Sequence, residues 1–151
     1  MTLASLRSSS PWLTSLDDPC IALLDPLAKE ETFSTGDILF RADGIADRFY
    51  VVTSGTVALL LAGPSRPPIT IQTVGRGGLL GLSWRLAPHR WQWTARAIDD
   101  VTALRFNALD VRAMCQEHPE LDGALLEVVA QEAARRLQNV RMQLLDLYGR
   151  T

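Results

Sequence analysis

The sequence predicts a β-sandwich or barrel carrying helices at both ends, and three observations predict it. Between Phe33 and Phe106, short β-rich runs recur at roughly ten-residue intervals with turn residues between them. After Asn107 the apolar spacing becomes helical and remains so. At 151 residues, 47% apolar and 21% charged, the chain has the mass for one cored domain and no room for two. Three parts follow: an N-terminal helical segment (1–32), a β-barrel (33–107) and C-terminal helices (108–151).

Met1 to Ser10 is small and polar, and reads as a frayed end. Between Asp17 and Glu31, the apolar residues Ile21, Leu23, Leu24, Leu27 and Ala28 fall at helical spacing. Asp18 is placed to cap that helix, Pro19 suits its first turn, and Pro26 bends or divides it. Ile38-Leu39-Phe40 then leads into the turn Ala42-Asp43-Gly44. Phe49 to Thr53 is β-rich, and Ser54-Gly55 turns into Val57-Ala58-Leu59-Leu60-Leu61. Gly63 to Pro68 is a loop, and Ile69 to Val74 alternates as the next strand. The final pair, Trp91 to Ala97 and Val101 to Phe106, is joined by Ile98-Asp99-Asp100.

Asn107 is an N-cap for a helix over Ala108 to Glu117, which stops before Pro119. Pro119 opens a long helix to about Tyr148. Along it Leu126, Ala130, Ala133, Leu137, Val140, Leu144 and Leu147 recur at steps of four and three, an unbroken apolar seam. Leu121, Leu125, Val128 and Val129 form a second stripe facing elsewhere. One stripe can pack on the barrel while the other meets a second copy. At ~1.5 Å per residue such a helix projects beyond a small barrel, so a homodimer through the seam is expected. In a parallel pair Arg136 and Arg141 would flank the seam and repel mildly.

The stretch most suggestive of a site runs from Gly75 to Ala97. A glycine cluster precedes a short helical turn after Gly81, Pro88 cuts that turn off, and Trp91-Gln92-Trp93-Thr94 resumes a β-like alternation with both indoles on one face. This layout suits a concave site for one phosphate, with backbone N–H groups facing the anion. A glycine-rich hairpin with a loop satisfies the same spacing.

Several functions are excluded or disfavoured by composition. Net charge is −2 without a basic cluster, so the electrostatic footprint of a nucleic-acid binder is missing. Fourteen of the fifteen cationic residues are arginine, which lowers the information in any single one. The longest apolar run, Val57 to Ala62, is far too short to cross a bilayer. The start resembles no secretory signal, and Cys20 and Cys115 read as reduced thiols of a cytoplasmic protein. A metal-dependent barrel enzyme needs converging histidines or carboxylates, yet only His89 and His118 occur and no nucleophile–base pair is visible. Catalysis and a resident metal are therefore not expected.

Phe33-x-x-Gly36-Asp37-x-x-Phe40, Asp43-Gly44-x-x-Asp47-x-Phe49-Tyr50-Val51-Val52-x-Ser54-Gly55-x-Val57 and the later Ala134-Arg135-Arg136-Leu137-Gln138 occur in one order and spacing. Together they resemble the cyclic-nucleotide-binding domain of the catabolite-activator (Crp/Fnr) family, over about Phe33 to Leu147. The resemblance implies a double-stranded β-helix (a jelly roll) with flanking helices, the last of them a dimerisation helix. It makes the glycine turn a phosphate-binding cassette. There a Gly-Glu pair holds the ribose hydroxyl, and an arginine nine residues after the glutamate pairs with the cyclic phosphate.

This chain departs from that pattern. Gly81 matches the glycine, but Leu82 stands at the glutamate position and Trp91 at the arginine position, with Arg90 one residue early. Val140 stands where the activator uses a hydroxyl to reach the base, and Arg141 follows it. Losing a phosphate contact and a ribose contact costs ~1.5–3 kcal/mol each, together roughly two to four orders of magnitude in affinity. The candidate cassette residues are Gly81, Leu82, Ser83, Trp84, Arg85, Arg90, Trp91 and Trp93, with Arg141 from the helix. The tryptophans either fill the cavity or stack on a cyclic nucleotide or another small planar ligand, with Arg85 or Arg90 taking any negative group.

Crp/Fnr regulators continue into a helix-turn-helix, which does not follow within these residues, so direct DNA binding is not expected of this chain. Cys20 alone in the N-terminal third excludes an iron–sulfur switch. The expected function is that of a non-catalytic sensor or regulatory module with weakened or altered ligand specificity, such as the effector domain of a Crp/Fnr-type transcription regulator. The alternative is a stand-alone dimerisation or docking scaffold whose pocket is closed by tryptophan.

Overall fold

The computed structural model describes residues 1–63 and 66–149. Its strands are β1 (Lys29–Phe33), β2 (Ile38–Phe40), β3 (Arg48–Ser54), β4 (Val57–Gly63), β5 (Arg66–Val74), β6 (Leu79–Leu80), β7 (Thr94–Ala97) and β8 (Val101–Asn107). They build two four-stranded antiparallel sheets, ordered β1-β8-β3-β6 and β2-β7-β4-β5. This is the jelly roll that the resemblance implied. Four helices flank it: α1 (Pro11–Ser15), α2 (Asp18–Leu24), α3 (Ala108–Glu117) and α4 (Pro119–Gly149).

Strand β3 holds the layers together. Tyr50 and Val52 point between the sheets, into a cluster with Phe40, Leu59, Leu80 and Trp91. Phe49 and Val51 point the other way, with Leu104 and Phe106 of β8, against the helices. Both faces are covered, so the strand reads as a continuous apolar run without alternation. The outer cluster gathers Leu13, Cys20, Ile21 and Leu24 of α1 and α2 with Leu121, Leu125, Val128 and Val129 of α4.

The N-terminus is not frayed. Ala4–Ser9 is a 3₁₀ turn, and Leu3 and Leu6, three residues apart, are fully buried in the outer cluster. The Leu3 N–H donates to Asp25 Oδ1 at 2.7 Å, while Ser10 Oγ and Trp12 Nε1 both donate to the Gly77 carbonyl at 2.8 Å. Two apolar anchors outweigh a polar composition. The following helix is shorter than its spacing suggested: α2 ends at Leu24, and Pro26 leaves only the 3₁₀ turn Asp25–Leu27. Lys29–Phe33 instead pairs along β8, so the barrel begins before residue 33. The α2 cap is Asp17, which accepts from the Cys20 N–H at 2.9 Å, while Asp18 pairs with Arg7.

Two β expectations are also corrected. Trp91 to Trp93 is loop, and β7 starts at Thr94. Strands β7 and β8 lie in different sheets, so Ile98 to Asp100 carries the chain between layers and closes no hairpin. Of the loop expected over Gly63 to Pro68, Pro64 and Ser65 lie outside the described residues and Arg66 to Pro68 belongs to β5. Helix α3 has the expected bounds with Asn107 at the N-cap position, but the Asn107 side chain makes no capping bond. It accepts from Arg105 Nε at 3.1 Å.

On α4 the two stripes part company. Leu121, Leu125, Val128 and Val129 are buried, whereas Leu126, Leu137 and Leu144 stand 44%, 63% and 49% exposed. Ala130 is exposed too, and Ala133 and Val140 are half-buried. The Leu147 side chain lies outside the described residues. Arg136, expected on the rim of this seam, is instead buried to 5% exposure.

Candidate ligand-binding site

The cassette leaves β6 at Gly81, whose φ is +93°. A Cβ there would stand 2.7 Å from the Trp91 ring, so both conformation and close approach demand glycine. The 3₁₀ turn Leu82–Trp84 follows, and the chain then passes a cis Ala87–Pro88 bond to Trp91. The Trp91 N–H donates to the Gly44 carbonyl and its own carbonyl accepts from the Asp43 N–H, both at 2.9 Å. The turn at Asp43-Gly44 thus fixes where the indole lies.

Trp91 is 3% exposed and stacks on Phe40, with centroids 4.0 Å apart and planes 18° from parallel. The Arg48 guanidinium stands 5.6 Å from its centroid. Arg48 is itself held by Tyr50 Oη at 2.7 Å, the Leu39 carbonyl at 2.8 Å and Asp47. The position expected to hold a cationic phosphate ligand is therefore occupied by a packed indole.

Trp91 does not fill the space completely. A cavity of ≈ 230 Å³ remains between barrel and helix. Phe40 and Leu59 form its floor, Gly81, Leu82, Ser83 and Leu86 one wall, and Trp91, Gln92 and Trp93 another. Ala133, Arg136, Leu137 and Val140 of α4 close it. The lining is chiefly apolar, and among the described residues Arg136 is its one charged member.

Five of the sequence-selected cassette residues meet here: Gly81, Leu82, Ser83, Trp91 and Trp93. Trp84, Arg85, Arg90 and Arg141 do not line the cavity. Trp84 turns outward to stack on Phe49 with centroids 5.2 Å apart, because the outer cluster buries it fully. Arg85 pairs with Asp122 at 3.1 Å, Arg90 donates to the Asp43 carbonyl at 3.0 Å, and Arg141 is exposed.

The residue that sequence reasoning missed is Arg136. Its Nη2 donates to the Leu79 carbonyl, its Nε has no partner among the described residues, and burial pulls its pKa down to about 10. It stays a cation at neutral pH. A signal was present, since Ala133, Arg136, Leu137 and Val140 fall at i, i+3, i+4 and i+7, which puts Arg136 on an apolar helix face. Among the described residues no group of three or more His, Cys, Asp or Glu converges as a metal site, and no helix is long and apolar enough to cross a membrane.

The described residues thus form a jelly roll of eight strands with a cavity between a glycine-marked turn and a C-terminal helix. The family model of the cyclic nucleotide-binding domain matches residues 30–118, and the chain belongs to that family. The N-terminal domain of a transcriptional regulator from Streptomyces coelicolor A3(2) is 30% identical, with TM-score 0.72 over 86% of this chain and 93% of that one. The catabolite activator protein of Thermus thermophilus is 24% identical, with TM-score 0.72 over 93% of this chain and 63% of that one. A cyclic nucleotide-binding domain from Methylobacillus flagellatus KT is 13% identical, with TM-score 0.81 over 95% of this chain and 81% of that one. No curated protein sequence is significantly similar.

Proposed function

We propose that this chain is a non-catalytic regulatory domain whose effector enters the α4-capped cavity, and that it has lost ordinary cyclic AMP recognition. The observation that carries the reading is the identity of two cavity-wall residues, Leu82 and Trp91. A leucine cannot accept a hydrogen bond from a ribose hydroxyl, and an indole does not neutralise a phosphate. Both losses weaken a polar ligand far more than an apolar one.

The remaining ≈ 230 Å³ of space speaks for an effector site and against a scaffold closed by tryptophan. The likeness to a transcriptional regulator's N-terminal domain supports a role as the effector half of such a regulator. The exposed Leu126, Leu137 and Leu144 supply the apolar face for a homodimer along α4. Ala133, Leu137 and Val140 both line the cavity and belong to that seam, so an effector touching them biases how two helices pack.

Isothermal titration calorimetry with cyclic AMP tests the reading. The expected result is no binding in the micromolar range, and micromolar or tighter binding would overturn it.

A further inference from the structure

We infer that the effector is a compact apolar molecule bearing one carboxylate, and that Arg136 of α4 receives that carboxylate. This inference rests on the reading of the cavity as an effector site, and it adds the chemical class of the occupant.

Arg136 is 95% buried by its 5% exposure, yet its hydrogen bonding is incomplete. Nη2 donates to the Leu79 carbonyl, while the buried Nε has no partner among the described residues. A desolvated guanidinium with donors unmet is costly, and such groups persist where something else completes them. The nearest countercharge is shared. Glu132, one turn earlier and equally buried, pairs with Arg135 at 3.4 Å. The cluster of Glu132, Arg135 and Arg136 therefore keeps one net positive charge.

Arg136 borders two spaces that differ in their charged residues. The polar cleft on its far side is lined by Glu132 and Gln72 but also by Arg76 and Arg135, so there Arg136 is one of three guanidinium groups, whereas in the cavity it is the one charged residue among those described. The cavity proper contains no acidic residue among the described ones. There the guanidinium can form the charge-assisted, two-pronged contact that suits a carboxylate. Ser83, 6% exposed and also lining the cavity, adds a hydroxyl.

The rest of the wall fixes the ligand's body. Trp91, Trp93, Leu137 and Val140 offer flat and aliphatic surface with almost no hydrogen-bonding capacity. A cavity of about 150 Å³ accepts a benzene ring, so ≈ 230 Å³ suits one ring with substituents or two fused rings. A sugar with several hydroxyls would leave most of them unpaired. The site thus favours an aryl or short branched aliphatic monocarboxylate.

The test titrates the full chain calorimetrically with a panel of one- and two-ring aryl carboxylates, each beside its neutral carboxamide, with cyclic AMP in the same series. At least one acid is expected to bind in the micromolar range, with its amide roughly ten- to a hundredfold weaker. Arg136→Gln should reduce the acid to the level of its amide, and Arg136→Lys should restore part of the difference. Melting curves accompany both variants: Arg136→Gln should melt within a few degrees of the parent, and if it does not fold, Arg136→Lys and the acid–amide pairs still decide. Amides binding as well as acids, Arg136→Gln leaving an acid's affinity intact, or a panel with no binding acid would each overturn the carboxylate assignment alone. Micromolar cyclic AMP binding would overturn the underlying reading of the cavity instead.

Discussion

The cassette and helix α4 face each other across one cavity and contribute opposite chemistry. The cassette, the glycine-marked segment, supplies apolar surface through Leu82, Leu86 and Trp91. The helix, which reads as an apolar seam, supplies the charge through Arg136. A binding site's polarity is therefore not a property of the segment that carries its motif. It depends on which side chains the tertiary packing turns inward, and here packing moved the cation from the loop to the helix.

The largest expected effect breaks the cassette side. Trp91 packs on Phe40 and under Gly81, so Trp91→Ala should cost ~3–5 kcal/mol of stability, read by urea denaturation. A loss below about 1 kcal/mol would mean that the indole is a mobile wall and contributes little to the core. Gly81→Ala sharpens the same point at smaller scale. The positive φ and the 2.7 Å approach to Trp91 should together cost roughly 1–3 kcal/mol. An unchanged denaturation midpoint would show that the cradle tolerates a side chain.

The smallest effect on stability tests the helix side. Leu144 is 49% exposed and lines no part of the cavity, so Leu144→Glu should alter stability of the isolated subunit by no more than about 0.5 kcal/mol. It should nevertheless convert a dimer to monomers in sedimentation velocity. A dimer that survives Leu144→Glu would place the contact elsewhere than the α4 seam.

Much of the fold was legible. The turn spacing gave the β class, because turns are dictated by local chemistry at fixed positions, while the jelly roll followed only from the family resemblance that Gly36-Asp37, Asp43-Gly44 and Ser54-Gly55 help to carry. The bounds of α3 followed from Asn107 and Pro119 for the same reason. The N-terminus was illegible since its ordering depends on Leu3 and Leu6 meeting a surface built by distant residues. Strand β1 was hidden because Lys29-Glu30-Glu31 offers no apolar alternation, and its pairing along β8 supplies the stability that its own residues do not announce.

In the site, residue identity was decisive where an absence mattered. Leu82 and Trp91 cannot do the work of a carboxylate and a guanidinium in any conformation, so the loss of those contacts needed no coordinates, whereas the packing of the Trp91 indole on Phe40 did. Direction was another matter. Trp84 lies close to Trp91 in the chain yet faces the opposite core, and Arg85 and Arg90 turn away to Asp122 and the Asp43 carbonyl.

What the sequence determined by itself was composition-bound and local: a small β-barrel with terminal helices and its turns, with the family resemblance adding a pocket deprived of two expected polar groups. What only the tertiary structure decided was which face of α4 lies over the barrel mouth. A helix presents every side chain to some direction, and periodicity shows which residues share a face but not what that face covers. The burial of Arg136 above the cavity comes from that docking, and so does the chemistry the cavity can offer.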